Sequence, residues 1–161
     1  MALRKPLVIS GGTVQQLQAA DTLDVSAVAG GDVLSQTNDE AGAIVIGTVV
    51  YNDVANGVKK AIATGAATAR VVGLVAAATI TNGVAGMIQV NGVLSASTAQ
   101  WDAVTGGSGG LIAGTDYYLS PTTAGLLTST APSTAGQYVV FIGRAVSTTD
   151  MNVAIDRAIL L

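Results

Sequence analysis

From residue 43 onward the apolar positions come in short runs, separated by Gly, Asn, Ser, Thr and Pro. The first run, 43–51 (AIVIGTVVY), is rich in the β-branched side chains that suit strands. Three Asn-Gly pairs follow, at 56–57, 82–83 and 91–92. Asn-Gly between apolar runs signals a hairpin, because both residues tolerate the positive φ of a type I′ turn. The pattern therefore predicts that Asn56-Gly57 joins strand 43–51 to strand 58–63. Asn82-Gly83 would join 71–80 to 84–90, and Asn91-Gly92 would turn that strand into 93–97. Strands 117–119 and 126–128 flank a Ser-Pro-Thr-Thr-Ala-Gly turn, where Pro121 needs no ladder hydrogen bond. A last pair, 138–146 and 151–155, is joined through 147–150.

Two of these strands differ in pattern. Residues 151–155 (MNVAI) alternate and predict one buried face. Residues 138–142 (YVVFI) are apolar on both faces and must be covered twice. A barrel or sandwich interior covers one face, and a subunit contact is the natural cover for the other.

Residues 1–40 read differently. They hold Asp21, Asp24, Asp32, Asp39 and Glu40, and Gly-Gly pairs punctuate them. The spacing in 14–20 allows a two-turn helix or an extended arm, and the extended reading is preferred after Gly-Gly-Thr. The start, MALRKPLVISGG, has too short an apolar run for a secretion signal. No fixed repeat period links the Gly/Ala/Thr-rich runs, so a solenoid is not expected. The expectation is an all-β chain of about ten short strands, a small β-barrel or β-sandwich over 41–161 with an N-terminal arm over 1–40.

Composition shifts the emphasis from chemistry to surfaces. Charged residues make up 11% of the 161, against about 25% in ordinary domains. The formal net charge is -3, and the seven Lys and Arg are scattered, which disfavours binding along a phosphate backbone. Residues 71–101 carry no charge, but Thr79, Asn82, Gln89 and Asn91 break them up, so strands and turns are preferred to membrane insertion. The chain has no His and no Cys. That removes the commonest general base, thiolate nucleophiles and the usual zinc ligands.

The remaining candidates for chemistry each have a plainer reading. Asp102 and Asp116 flank a Gly-rich loop beside Trp101, Tyr117 and Tyr118, as acids and rings do in a sugar site. They read more simply as turn caps beside barrel-anchoring rings. GGSGG at 106–110 lacks the Gly-Lys-Ser/Thr ending of a phosphate loop. The acids from Asp32 to Glu40 lack EF-hand spacing and read as a solvated loop. Lys59 and Lys60 read as solvated edge charges. No enzyme, cofactor or metal site is expected.

The second half of the chain carries a resemblance. Trp101-Asp102, GLIAGTDYYLS at 110–120, GLLT at 125–128, Pro132, Gly136 and VFIGRAVS at 140–147 resemble a small β-domain of tailed-bacteriophage virion proteins. That domain occurs in capsid decoration proteins, head fibres and some tail fibres. QQLQAADTL at 15–23 is similar to a leading segment of phage fibre proteins. The resemblance implies a homotrimer without catalytic residues, made in the bacterial cytoplasm and located on the virion. A chain of this length has room for a compact domain and an arm, which favours a decoration, or cement, protein bound to the major capsid protein. The alternative is a short tail-fibre, head-fibre or collar protein that binds a host glycan through loops 104–110 and 120–136 with Trp101, Tyr117 and Tyr118. Tyr138, Val140, Phe141, Ile142, Ile155, Leu160 and Leu161 are the expected trimer contacts. Arg4, Lys5, Leu7 and Ile9 are the expected capsid contacts.

Overall fold

The β-branched run at 43–51 does not form one strand. Gly47 stands at φ +81°, a left-handed conformation that glycine adopts at no steric cost. A Cβ there would also press on Val104 (3.0 Å) and the Trp101 ring (3.1 Å). The chain turns at this point, with the Thr48 N–H donating to the Val45 carbonyl at 3.1 Å.

The computed structural model describes residues 32–53 and 57–161, with the backbone of 7–10 and 13–16. Strands β1 (Leu7–Ser10) and β2 (Thr13–Gln16) pair as an antiparallel hairpin. Next come β3 (Val33–Asn38), β4 (Ile44–Val45), β5 (Val49–Asn52) and β6 (Gly57–Lys60). They are followed by β7 (Val71–Val75), β8 (Thr79–Ile80) and β9 (Ala85–Gln89). Strands β3, β6, β5, β7 and β9 close into a barrel. The β3–β6 contact is its one parallel pair, Thr37 opposite Gly57. Gly57 serves close approach there, since a Cβ would lie 2.6 Å from the Asp39 Cβ.

The expected pairing of β5 with β6 is present, Val50 opposite Lys60, although Asn56 lies outside the described residues and Gly57 already belongs to β6. Strands β7 and β9 pair antiparallel, Leu74 opposite Gln89, but not as the expected 71–80/84–90 hairpin turned at Asn82-Gly83, because the strand ends at Val75. Between these last two, β8 leaves the ladder and pairs with β4 across the barrel end. Asn91-Gly92 is not a hairpin turn, because the chain after Val90 passes into a second sheet.

That sheet uses β10 (Asn91–Ser95), β11 (Asp116–Leu119), β12 (Leu127–Thr128), β14 (Phe141–Ala145) and β15 (Asp150–Ala154). Its order is β10-β15-β14-β11-β12, antiparallel throughout. The hairpins expected around 120–126 and 147–150 are both present. A helix, α1 (Thr98–Thr105), lies where no helix was expected. Ser97 and Gln100 form a capping box at its start, and Gly106 at φ +69° ends it. Strands β13 (Tyr138–Val139) and β16 (Ile159–Leu160) form a separate ribbon.

Two cores result. Ile44, Val50, Val58, Val75, Ile80 and Ile88 fill the barrel. A larger core joins the outside of the barrel (Val49, Leu74, Ala61, Ala63) to Trp101, Leu119, Ile142 and Met151. Strands β5 and β7 are therefore buried on both faces: Val49, Val50, Leu74 and Val75 are all 0% exposed. Asn38 is fully buried at the barrel end. Its amide donates to the Gly42 (2.9 Å) and Ile80 (2.8 Å) carbonyls, and its Oδ1 accepts from the Glu40 N–H. The fold is thus predominantly β and built on a closed five-stranded barrel. The barrel begins at Val33, ahead of the boundary expected at 40/41, because β3 closes it.

Candidate functional site

Tyr138–Val139 and Ile159–Leu160 build a ribbon whose β13 side chains are half-buried, Tyr138 against the larger core, while those of β16 face water. Gly136 turns at φ +83°, and its N–H donates to the Leu161 carbonyl at 3.0 Å. Across the ribbon Tyr138 opposes Leu160 and Val139 opposes Ile159. Neighbouring residues on a strand point to opposite faces. Ile159 is nevertheless 62% exposed and Leu160 58%, with Leu161 at 44%. Both faces of β16 are therefore apolar and open. Contiguous exposed aliphatic surface of this kind marks an interaction site more often than scattered single residues do.

The expected trimer contacts divide on this geometry. Residues 138–142 are not one strand, because Val140 turns inward between β13 and β14. Val140 and Ile142 are 0% exposed, so the protomer's own core covers them and they offer nothing to a neighbour. Tyr138, Phe141 and Ile155 are half-buried, and Leu160 and Leu161 are exposed. Ile159, within the expected contact segment 155–161, is the most exposed of the ribbon's large aliphatics. Of the expected capsid contacts, Arg4 and Lys5 lie outside the described residues, and Leu7 and Ile9 lie in β1, of which the backbone is described.

The acids and rings considered for a sugar site hold the fold. Trp101 is 0% exposed, and its indole N–H donates to the Thr149 carbonyl at 2.8 Å. Tyr117 is also buried, with its hydroxyl accepting from the Ile112 N–H at 3.0 Å. Tyr118 is half-buried edge-on to Phe141, ring centres 5.9 Å apart. Asp102 accepts from the Gly110 N–H at 2.8 Å through one oxygen and the Gly109 N–H at 3.1 Å through the other. It pins the Gly-rich loop, and a carboxylate so placed repels phosphate. Asp116 pairs across strands with Arg144 at 3.8 Å, both largely exposed.

Lys59 and Asp150 are similarly engaged. Lys59 bridges Asp53 at 2.6 Å and Asp39 at 3.6 Å. The hydrogen bond to Asp53 raises its pKa. Asp150 accepts from Ser147 (2.6 Å), Ser95 (2.5 Å) and Thr149 (3.0 Å), and these hydroxyls, Ser147 foremost, lower its pKa. Among the described residues no group of three or more acids is placed to hold a metal ion, and no helix is long and apolar enough to cross a membrane.

Two clefts adjoin the loops of the second sheet. One, of about 330 Å³, is lined by Ser120, Thr122, Thr130, Ser133 and Gln137 among others. The other, of about 200 Å³, lies between the Gly-rich loop and Thr128. Neither has a charged lining residue. No protein-family model matches the chain, and a search of curated proteins returned no significant match.

Proposed function

We propose that this chain is a non-catalytic structural protein that works as a homotrimer, decorating the exterior of a phage head and stabilising it. The observation that carries the self-associating part is the apolar ribbon, open on both faces in a chain of low charge. The resemblance of residues 100–156 to phage virion β-domains supports the location. The mechanism is linkage: a ligand that binds only the assembled shell across subunit junctions raises the shell's stability. The N-terminal segment with Arg4, Lys5, Leu7 and Ile9 makes the capsid contact in this reading.

Co-sedimentation with undecorated heads tests it. The protein should pellet with the shells and raise their melting temperature. Deleting residues 1–12 should abolish pelleting and leave the trimer intact. Full binding by the deletion variant would refute the N-terminal contact, and a trimer that ignores shells would refute the decoration role. The glycan-binding alternative keeps its hydroxyl-lined clefts but loses stacking on Trp101 and Tyr117, which lie inside the core.

A further inference from the structure

Resting on the homo-oligomeric reading, we infer that the free edge of β16 adds as a strand to the free edge of β10 in a second copy of this chain, head to tail. The argument begins with backbone polarity. Across the ribbon the Leu161 N–H donates to the Gln137 carbonyl at 3.0 Å, while the Tyr138 N–H points the other way, to the Ala63 carbonyl at 2.8 Å. Antiparallel ladders alternate in this sense. The N–H and C=O of Leu160, opposite Tyr138, therefore face away from β13. They form an open edge between side chains that are themselves exposed.

The same chain carries a second open edge. β10 ends the five-stranded sheet. The Ala96 N–H donates to the Thr149 carbonyl at 2.9 Å, continuing the β10–β15 ladder. By the same alternation Gly92 and Leu94 bond to β15, and Val93 and Ser95 direct their backbone groups outward. Asn91 is partly occupied, its carbonyl accepting from Gln89 Nε2 at 2.6 Å. Val93, 51% exposed, is an apolar side chain on the outer face beside this edge.

Proteins guard open edges with Lys, Pro, inward charges or a covering element. Neither NGVLS of β10 nor IL of β16 contains a charged residue or proline. Among the described residues, apart from Asp32 on the Asn91 side chain at one end of β10, neither edge is guarded, and each offers donors, acceptors and an apolar side chain to the other. The occupant that fits the ribbon is a second copy. Joining two different surfaces makes a head-to-tail contact, which closes into a ring when its rotation allows, whereas a β16–β16 contact would make a two-fold dimer.

Because the chain has no Cys, introduced thiols report the contact without background. Val93→Cys and Leu160→Cys proteins are prepared separately, mixed, allowed to exchange subunits and oxidised, then run on a non-reducing gel. Ser95→Cys replaces Val93→Cys if the latter fails to assemble. The mixture should yield a disulfide-linked pair, and each variant alone should stay uncrosslinked. A bond in Leu160→Cys alone would mean that ribbons meet each other, overturning the inference. So would an assembled protein whose mixture forms no bond, while leaving the proposed function standing. Wild-type protein that sediments as a 15.9 kDa protomer would overturn both.

Discussion

The barrel and the β13–β16 ribbon stand at opposite ends of a scale of completeness. The barrel has no free edge: each of its five strands is paired on both sides, and Asn38 satisfies the polar groups at its end. The ribbon has two strands, one open edge and apolar side chains on both faces. A two-stranded ribbon alone is marginal in water. The difference marks the part of the chain that is complete in itself and the part that, in the proposed homo-oligomer, a neighbour completes. It also separates two kinds of variant, those that unfold the protomer and those that only disassemble it.

The largest expected effect tests the junction of the two cores. Trp101→Ala empties the centre of the larger core and should destabilise the protein by about 3–5 kcal/mol. Urea unfolding measures it, and a loss under about 1 kcal/mol would mean the barrel stands without that core. Asn38→Ala comes next. It leaves the Gly42 and Ile80 carbonyls and the Glu40 N–H without their partner, for about 1–3 kcal/mol by the same measurement. Leu160→Asp should leave far-UV circular dichroism unchanged while the oligomer is lost, which sedimentation reads. If instead it unfolds the chain, the ribbon belongs with the self-sufficient part and the contrast fails.

Smaller effects sharpen the picture. Asp150 has a lowered pKa, so its contribution is present above the ordinary carboxylate range and is lost as pH falls through that range toward the folded value. Asp150→Asn should flatten this acid limb in melting temperatures measured from neutral to low pH, and an unaltered limb would assign it to other acids. Arg144→Ala should change stability by no more than about 0.5 kcal/mol, as the pair with Asp116 is exposed.

Local chemistry made much of the fold legible. The β-branched runs, the Asn56-Gly57 pair and the Ser-Pro turn pointed to the β5–β6 and β11–β12 pairings, and the break at 147–150 to that of β14 with β15. What stayed hidden were interruptions decided by distant packing. AIVIGTVVY carries a local mark at Gly47, an isolated glycine inside a strand pattern; what is not local is the approach of Trp101 and Val104, which leaves no room for a Cβ there. Nothing in YVVFI says that Val140 turns inward. One face of that run is covered within the protomer, at Val140 and Ile142, while Val139 and Phe141 on the other are half-buried and Ile159 and Leu160 of the paired strand are exposed. Val33–Asn38 was grouped with the acidic leader, although its role, parallel pairing with β6, is a long-range event. The helix α1 was legible in principle, since Ser97, Gln100 and Gly106 are ordinary start and stop signals. The ribbon's exposure could not be read from sequence, because apolar residues there look like core.

Sedimentation velocity of the wild-type chain beside Leu160→Asp tests the central claim, that the ribbon is completed by another copy. The account predicts a wild-type trimer and a folded Leu160→Asp protein that sediments as the 15.9 kDa protomer. A wild-type protomer, or a trimer untouched by the substitution, would contradict it.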